Sequence, residues 1–393
     1  MEYAEGNSTI STLSNGSTFL EPAVDNSTTS ADILLKKLPI AIPVIFFYII
    51  IWVVGVAGNT MVLYTVARYK SMRTNTNIFI GCLSVSDLMI CFSGIPFTPM
   101  SALVNKWSFG EALCKIIPFI VNASVMTSSF ISVAIAVDRF VIIVYPHTPK
   151  MGTTIQTIVI IVITGLAAIF ALPTAIYGRV LDENCADFLP SATWEVTYYW
   201  LQISLQLIIP GIIITICYTA IYVRLHQRIA KGLLSKNITK IKAEAKRNRK
   251  INRMLIAMVV IFIVCWLPLQ LFVFIFSDFD DSDINLIYYF LLFHIFAMSS
   301  VIYNPFLYGW MNENFKKHFL QTLHCLKKET HDNTQLTNLE TAEKTSETDN
   351  KNSQESSSFL TTGLKHKGHA TDGSDECAEL MPSYQAEMES SPE

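Results

Sequence analysis

The sequence predicts an all-α membrane protein: a seven-transmembrane helix bundle with a short amphipathic membrane-surface helix after the seventh span. Composition is the first reason. The chain is 51% hydrophobic and 16% charged, with mean hydropathy +0.38, whereas soluble domains carry about a quarter charged residues. The second is a set of seven apolar segments, near 42–67, 77–101, 111–145, 155–177, 196–226, 247–277 and 285–310. Each is close to the roughly 20 residues that a spanning helix needs. The third is the alternation of charge at their junctions. Arg68, Lys70 and Arg73 follow the first span, Arg139 and Lys150 bracket the end of the third, and Lys316, Lys317, Lys327 and Lys328 follow the seventh. Between the fifth and sixth, eleven Lys and Arg residues run from Arg224 to Arg253. The opposite junctions hold only Lys106, Lys115 and Arg179 against Asp182, Glu183, Asp187, Glu195, Asp278, Asp280, Asp281 and Asp283. Positive residues stay on the cytoplasmic side, so the N-terminus is expected outside and the C-terminus inside, in the plasma membrane. An odd number of spans is what that orientation requires.

Residues 1–36 are polar, rich in Ser, Thr and Asn, and read as a disordered extracellular tail. Asn7, Asn15 and Asn26 head Asn-x-Ser/Thr triplets, which are glycosylation acceptors in a segment that reaches the secretory lumen. Asn237-Ile-Thr239, in a basic segment, reads as a chance match. No basic n-region opens the chain, so the first apolar span would serve as the targeting signal.

The bundle is placed at 37–325. It includes a helix at 312–323, where Phe315, Phe319, Leu320 and Leu323 alternate with Lys316 and Lys317, as in helices that lie on the inner leaflet. Cys325 just beyond is a palmitoylation candidate or a plain free thiol. Residues 326–393 read as a disordered cytoplasmic tail, with Ser356, Ser357, Ser358, Thr361 and Thr362 as phosphosite candidates.

The stretch from Cys114 to Pro146 organises the bundle. As one helix, the 25 residues from Cys114 to Arg139 rise about 37 Å. That exceeds the hydrocarbon core of roughly 30 Å, so Cys114 lies at one membrane face and Arg139 at the other. Cys185, in the outer connection between spans four and five, can pair with Cys114 in that oxidising compartment. A charged Asp138-Arg139 pair at a helix end is costly unless it faces water or a partner. A snorkelling anchor is the plainer alternative.

Polar groups and helix breakers inside spans carry the chemistry, because lipid supplies no hydrogen bonds. Asn59 follows Gly58 in the first span, Asp87 lies mid-span in the second, Ser128 is in the third, and Ser300 and Asn304 are in the seventh. An ionisable Asp at mid-depth marks a functional site. Neighbouring Asn and Ser side chains would satisfy it, or a small hydrated cation, most simply Na⁺. A proton relay would need a chain of acids or histidines, and the spans offer few. Pro210, Pro268 and Pro305 interrupt spans five, six and seven. Their contexts are specific: Pro210 eight residues before Tyr218, Cys265-Trp266-Leu267-Pro268, and Asn304-Pro305-Phe306-Leu307-Tyr308. No two of the eight cysteines have zinc-type Cys-x-x-Cys spacing. No nucleophile–base pair or phosphate loop marks an enzyme, so no catalytic residue, no cofactor apart from Na⁺ and no nucleic-acid partner are expected.

Taken together, Gly58-Asn59, Asp87, Cys114, Asp138-Arg139-Phe140, Cys185, Pro210 with Tyr218, Trp266-x-Pro268 and Asn304-Pro305 with Tyr308 resemble the rhodopsin-like (class A) G-protein-coupled receptors over residues 40–325. The resemblance implies that Asp138, Arg139, Tyr218, Trp266, Pro268, Asn304, Pro305 and Tyr308 form an activation switch. In it, Trp266 reports the ligand to the Pro268 kink, and Arg139, Tyr218 and Tyr308 rearrange as the sixth helix admits a heterotrimeric G protein. It also implies that Asp87 with Ser128, Ser300 and Asn304 holds Na⁺ at rest, and that arrestin and receptor kinases meet the C-terminal tail. Two features depart from the pattern. Phe140 replaces the usual Tyr, and the fourth span has Thr164-Gly165 where a Trp is usual. Asn248 also stands where some relatives place an acid opposite the Arg, which leaves Asp138 as the carboxylate beside Arg139.

Absences narrow the ligand. No Lys lies between Asp283 and Lys316 for a retinal Schiff base, and Val121 stands where amine receptors carry Asp. The finer pattern is similar to neuropeptide receptors of the neuropeptide Y, neuropeptide FF and leucokinin group. It is carried by Ile95-Pro96-Phe97-Thr98, Trp107 through Cys114, Cys265 through Leu269, and Phe293-His294 through Asn312-Glu313-Asn314-Phe315. Ligands there end in an amidated Arg-Phe, Arg-Tyr or related aromatic amide. By that resemblance Thr98 and His294 line the pocket near the amidated end, with Gln202, Gln206 and Gln270 facing it. Asp187, Asp278 or Asp281 would pair with a ligand Arg. Val121 replaces the group's usual Gln, and Asn122 is the substitute, about 100° around the helix.

Two other functions stay in view. A seven-helix transporter would use Asp87, yet inverted repeats and paired broken helices are not evident. A receptor for a lipid or other small molecule would be indifferent to the outer acids and to residues 1–36.

Overall fold

A computed structural model of the chain describes residues 30–104, 106–149, 151–181, 183–232, 238–276, 284–311, 315–317 and 320. The three sequons at Asn7, Asn15 and Asn26, the acids Asp278 and Asp281, Cys325 and the tail 326–393 lie outside them. The described elements are α1 (Ser30–Arg68), α2 (Asn75–Val104), α3 (Gly110–Val144), α4 (Thr153–Tyr177), a hairpin of β1 (Gly178–Leu181) and β2 (Asn184–Asp187), and α5 (Ala192–Ile203). A π-helical turn (Ser204–Ile208) then leads into α6 (Ile209–Gly232), α7 (Ile238–Ile275), α8 (Ile284–Met298) and α9 (Ser300–Met311). Among the described residues, seven spans are long and apolar enough to cross a membrane, with α5 running through α6 as one and α8 with α9 as another.

The spans fall within a few residues of the apolar segments, because helix is the conformation that satisfies every backbone group internally when the side chains face lipid. Two details differ from the sequence reading. Helix α1 begins at Ser30, inside the segment expected to be a tail. Ala31, Leu34, Leu35, Lys36 and Lys37 are good helix formers, so the helix continues past the apolar stretch. The connection after α4 also folds as an antiparallel hairpin, Val180 opposite Cys185 and Leu181 opposite Asn184, with Glu183 in the left-handed region at φ 67°.

Helices α2 and α3 are central, with 67% and 56% of their spanning windows buried, against 17% for α1 and α4. One apolar cluster joins Phe79, Ile131, Tyr218, Leu255 and Tyr308 toward the Arg139 end. A second joins Ile90, Val125, Leu207, Trp266, Leu291 and Met298 toward the Cys114 end. The peripheral α4 is open where its Trp is missing: a Cβ on Gly165 would meet nothing within 4 Å. Beyond α9, residues 315–317 and 320 are helical. Phe315 is buried on Tyr308, with ring centroids 5.9 Å apart, and Lys316 and Leu320 are exposed.

Two of the prolines are answered from a neighbouring helix. Pro305 has no N–H, so the carbonyl one turn back, on Val301, loses its helical partner. Asn59 supplies the replacement, its Nδ2 donating to Val301 O at 2.9 Å while also donating to Gly55 O at 2.9 Å. Glycine makes that approach possible. A Cβ on Gly58 would stand 2.9 Å from Pro305 Cβ, and one on Gly55 2.8 Å from Val301 Cγ2. Pro210 likewise frees Gln206 O, which accepts from Ser129 Oγ at 2.6 Å.

Candidate functional site

At one end of the bundle, Trp107-Ser-Phe-Gly-Glu-Ala-Leu-Cys114 sets the entry into α3. Gly110 takes φ 82°, which glycine adopts without strain. Trp107 donates from Nε1 to Gly110 O at 2.8 Å and packs edge-on against Phe109, with centroids 5.1 Å apart. One turn later Cys114, fully buried, forms a disulfide with Cys185 on β2, with Cα atoms 5.7 Å apart. The hairpin is held a second time where Trp107 N donates to Glu183 O at 2.6 Å. Lys106 pairs with Glu183, and Lys115 with Glu111 at 2.8 Å.

Beneath the hairpin, the residues expected to bind a ligand divide into two groups. His294 on α8 is buried, with Tyr48 of α1 bonded to its Nδ1 at 2.7 Å and Phe290 packed on its ring. Across the bundle, Asn122 of α3 donates from Nδ2 to Tyr198 Oη at 3.1 Å and accepts from Gln202 Nε2 at 2.8 Å, both on α5. Gln270 of α7 donates to Gln206 Oε1 at 3.2 Å. Val121 is a packing residue, its Cγ2 3.2 Å from where a Cβ on Gly94 would sit. Thr98 is half-buried on α2. Asp187 closes the hairpin backbone opposite Gly178.

Two further polar contacts join the seventh span to the sixth and the second. Trp266 Nε1 donates to Ser300 Oγ at 3.1 Å, and Asn304 Nδ2 donates to Asp87 Oδ2 at 2.9 Å. Asp87 is buried, and the buried hydroxyl of Ser128 has no hydrogen-bond partner among the described residues. A hard cation takes oxygen ligands, and a carboxylate and a hydroxyl both offer them. The unanswered Ser128 hydroxyl fits that chemistry, whereas Asn304 turns its nitrogen toward the carboxylate.

At the opposite end, Thr76 of α2 donates to Asp138 Oδ2 at 3.1 Å and accepts from Arg139 Nη2. The Asp-Arg pair of α3 is therefore tied to α2 through one hydroxyl. Tyr218 and Tyr308 are buried in the same apolar cluster, and the Tyr308 hydroxyl has no partner among the described residues. Arg228 of α6 donates to Ile143 O at 2.7 Å. Sequence reasoning missed Tyr48, Thr76, Ser129 and Tyr198. Only the two tyrosines carried a signal, since a phenol in an apolar span needs a partner.

Seven spans, a disulfide-pinned hairpin, a split polar layer, a buried Asp87–Asn304 pair and an Asp138-Arg139 end tied to α2 define a multi-pass membrane protein of the receptor class. Residues 58–308 match the 7 transmembrane receptor (rhodopsin family), and the chain belongs to that family. It is 33% identical over 315 residues to neuropeptide Y receptor type 2 of Sus scrofa, covering 78% of this chain and 80% of that one. It is also 33% identical over 300 residues to the Homo sapiens protein of the same name, covering 74% and 78%. Against the Gallus gallus protein it is 32% identical over 320 residues, covering 78% and 80%.

Proposed function

We propose that this chain is a plasma-membrane receptor for a neuropeptide, with its N-terminus outside, that passes agonist binding to a heterotrimeric G protein at the Arg139 end. The observation that carries the reading is the likeness to neuropeptide Y receptor type 2 over about four-fifths of that protein's length. Charge supports a basic peptide. Both described lysines flanking the hairpin are paired with glutamates. The neighbouring connections add Asp182, Asp187, Glu195, Asp278 and Asp281 against Arg179 alone, and such a surface steers cations.

Thr98, His294, Asn122, Gln202, Gln206 and Gln270 contact the ligand in this reading. Trp266, Pro268 and the Asn304-Pro305-Tyr308 segment transmit its presence. Asp87 with Ser128 and Ser300 binds Na⁺ in the resting receptor. Asn7, Asn15 and Asn26 carry glycans, Cys325 a palmitoyl group, and residues 326–393 meet receptor kinases and arrestin. The receptor acts by binding, without a catalytic residue of its own. The test is a calcium and cyclic-AMP screen of cells expressing the chain, against amidated peptides ending in Arg-Phe, Arg-Tyr or a related aromatic amide. A nanomolar response is expected. Silence with the receptor present at the surface would leave the fold standing and return the ligand to unknown.

A further inference from the structure

At the Arg139 end of the bundle, α6 and α7 carry positive charge well beyond what the described residues around them answer. Residues 224–253 hold eleven Lys and Arg against Glu244 alone. Arg228 of α6 donates across the mouth of the bundle to Ile143 O on α3, at 2.7 Å. Arg249 of α7 places Nη2 3.5 Å from the ring nitrogen of His226 on α6. Neither partner is a carboxylate. The Nε atoms of Arg224 and Arg249 are buried and have no acceptor among the described residues. Asp138, the acid of this end among the described residues, already accepts from Thr76. The described ion pairs of Lys106 and Lys115 lie at the other end.

A guanidinium is a fork of donors that fits a carboxylate, and a buried donor without an acceptor favours a partner that supplies one. The reach of Arg228 to α3 and the burial of the two Nε atoms turn this cluster into the bundle mouth, away from lipid headgroups. Its complement is in the same chain. Residues 368–393 contain seven Asp and Glu, from Asp372 to Glu393, and no Lys or Arg. Between Leu320, the last described residue, and Asp372 stand 51 residues, which extend up to about 170 Å. Helix α7 packs against both α9 and α6, so the cluster lies two helix spacings from α9, about 20 Å. Because the segment is tethered, docking is intramolecular, and a weak charged contact suffices.

We propose that residues 372–393 dock through their carboxylates on the basic cluster of Arg224, Arg228 and Arg249, covering the Arg139 end until a G protein displaces them. The docking stands on charge and burial. The competition with a G protein rests on the receptor reading above.

The test uses full-length receptor in nanodiscs of neutral phosphatidylcholine, treated with a carbodiimide, which joins a carboxylate to an amine in direct contact. Mass spectrometry should find Asp372, Asp375, Glu376 or Glu379 joined to Lys246 or Lys250. The yield should fall severalfold in Arg224→Gln with Arg249→Gln, and in about 1 M salt, where the Debye length is about 3 Å. No such crosslink, or one that both treatments leave unchanged, would overturn the docking. Crosslinks that vanish when phosphatidylserine is added would assign the cluster to lipid headgroups and overturn it as well. Replacing the seven acids by Asn and Gln should raise agonist-independent nucleotide exchange a few-fold. Unmoved exchange, in a receptor that a peptide of the panel activates, would overturn the inhibitory role. Crosslinks as expected in a chain that drives no exchange with any peptide would overturn the receptor reading and leave the docking standing.

Discussion

Thr76 and Arg139 are joined by a hydrogen bond between α2 and α3, and the same Thr76 hydroxyl donates to the neighbouring Asp138 carboxylate. One oxygen thus holds a carboxylate and a guanidinium at once. The sequence reading had Asp138 alone beside Arg139, because Asn248 stands on the sixth helix where an acid could have been. Thr76 is the partner that reading lacked.

Thr76→Val keeps the shape and removes that oxygen. Hydrogen bonds to charged groups contribute about 1.5–3 kcal/mol, enough for a severalfold rise in agonist-independent nucleotide exchange in receptor membranes. Arg139→Ala should instead abolish agonist-driven exchange while surface expression persists. Unchanged basal exchange in Thr76→Val would make Thr76 a packing residue.

The Asn59 bond to Val301 O predicts a reciprocal dependence on Pro305. Asn59→Ala leaves a buried carbonyl unanswered, which costs about 1–3 kcal/mol and should lower the melting temperature of purified receptor. Pro305→Ala restores an N–H to the Val301 carbonyl. In that background the loss from Asn59→Ala should shrink. Additive losses in a double-mutant cycle would show that the proline does not create the need for Asn59.

Asp87 and the unanswered Ser128 hydroxyl predict sodium sensitivity. Raising sodium at constant ionic strength should weaken agonist binding in the wild type and leave Asp87→Asn unaffected, with Ser128→Ala in between. A sodium effect of equal size in Asp87→Asn would remove the ion from this site.

Much of the architecture was legible because the chain states it in residue types. The apolar segments could only be spans, and the two cysteines at one membrane face, Cys114 and Cys185, do pair. The facing of polar groups was less legible. Asn122 was singled out, yet nothing in the sequence tells that its side chain turns to Tyr198, 76 residues away. Ser129 reads as a small polar residue until Pro210 on another helix frees the carbonyl it caps. Such pairings depend on how helices rotate against one another, which packing decides after the spans are formed. The hairpin was missed for a related reason: a four-residue strand carries too little pattern to separate it from a loop.

The Asn59–Val301 contact spans 242 positions of sequence, which gives it a meaning in time. The first span to leave the ribosome carries a buried amide whose partner belongs to the last. Until α9 arrives, that amide sits in the bilayer with only the Gly55 carbonyl of its own helix, and the notch at Gly55 and Gly58 has nothing against it. The completed seventh span thus acts as a latch on the first, so a chain cut short before residue 301 lacks the closing contact by which a finished bundle differs from an unfinished one.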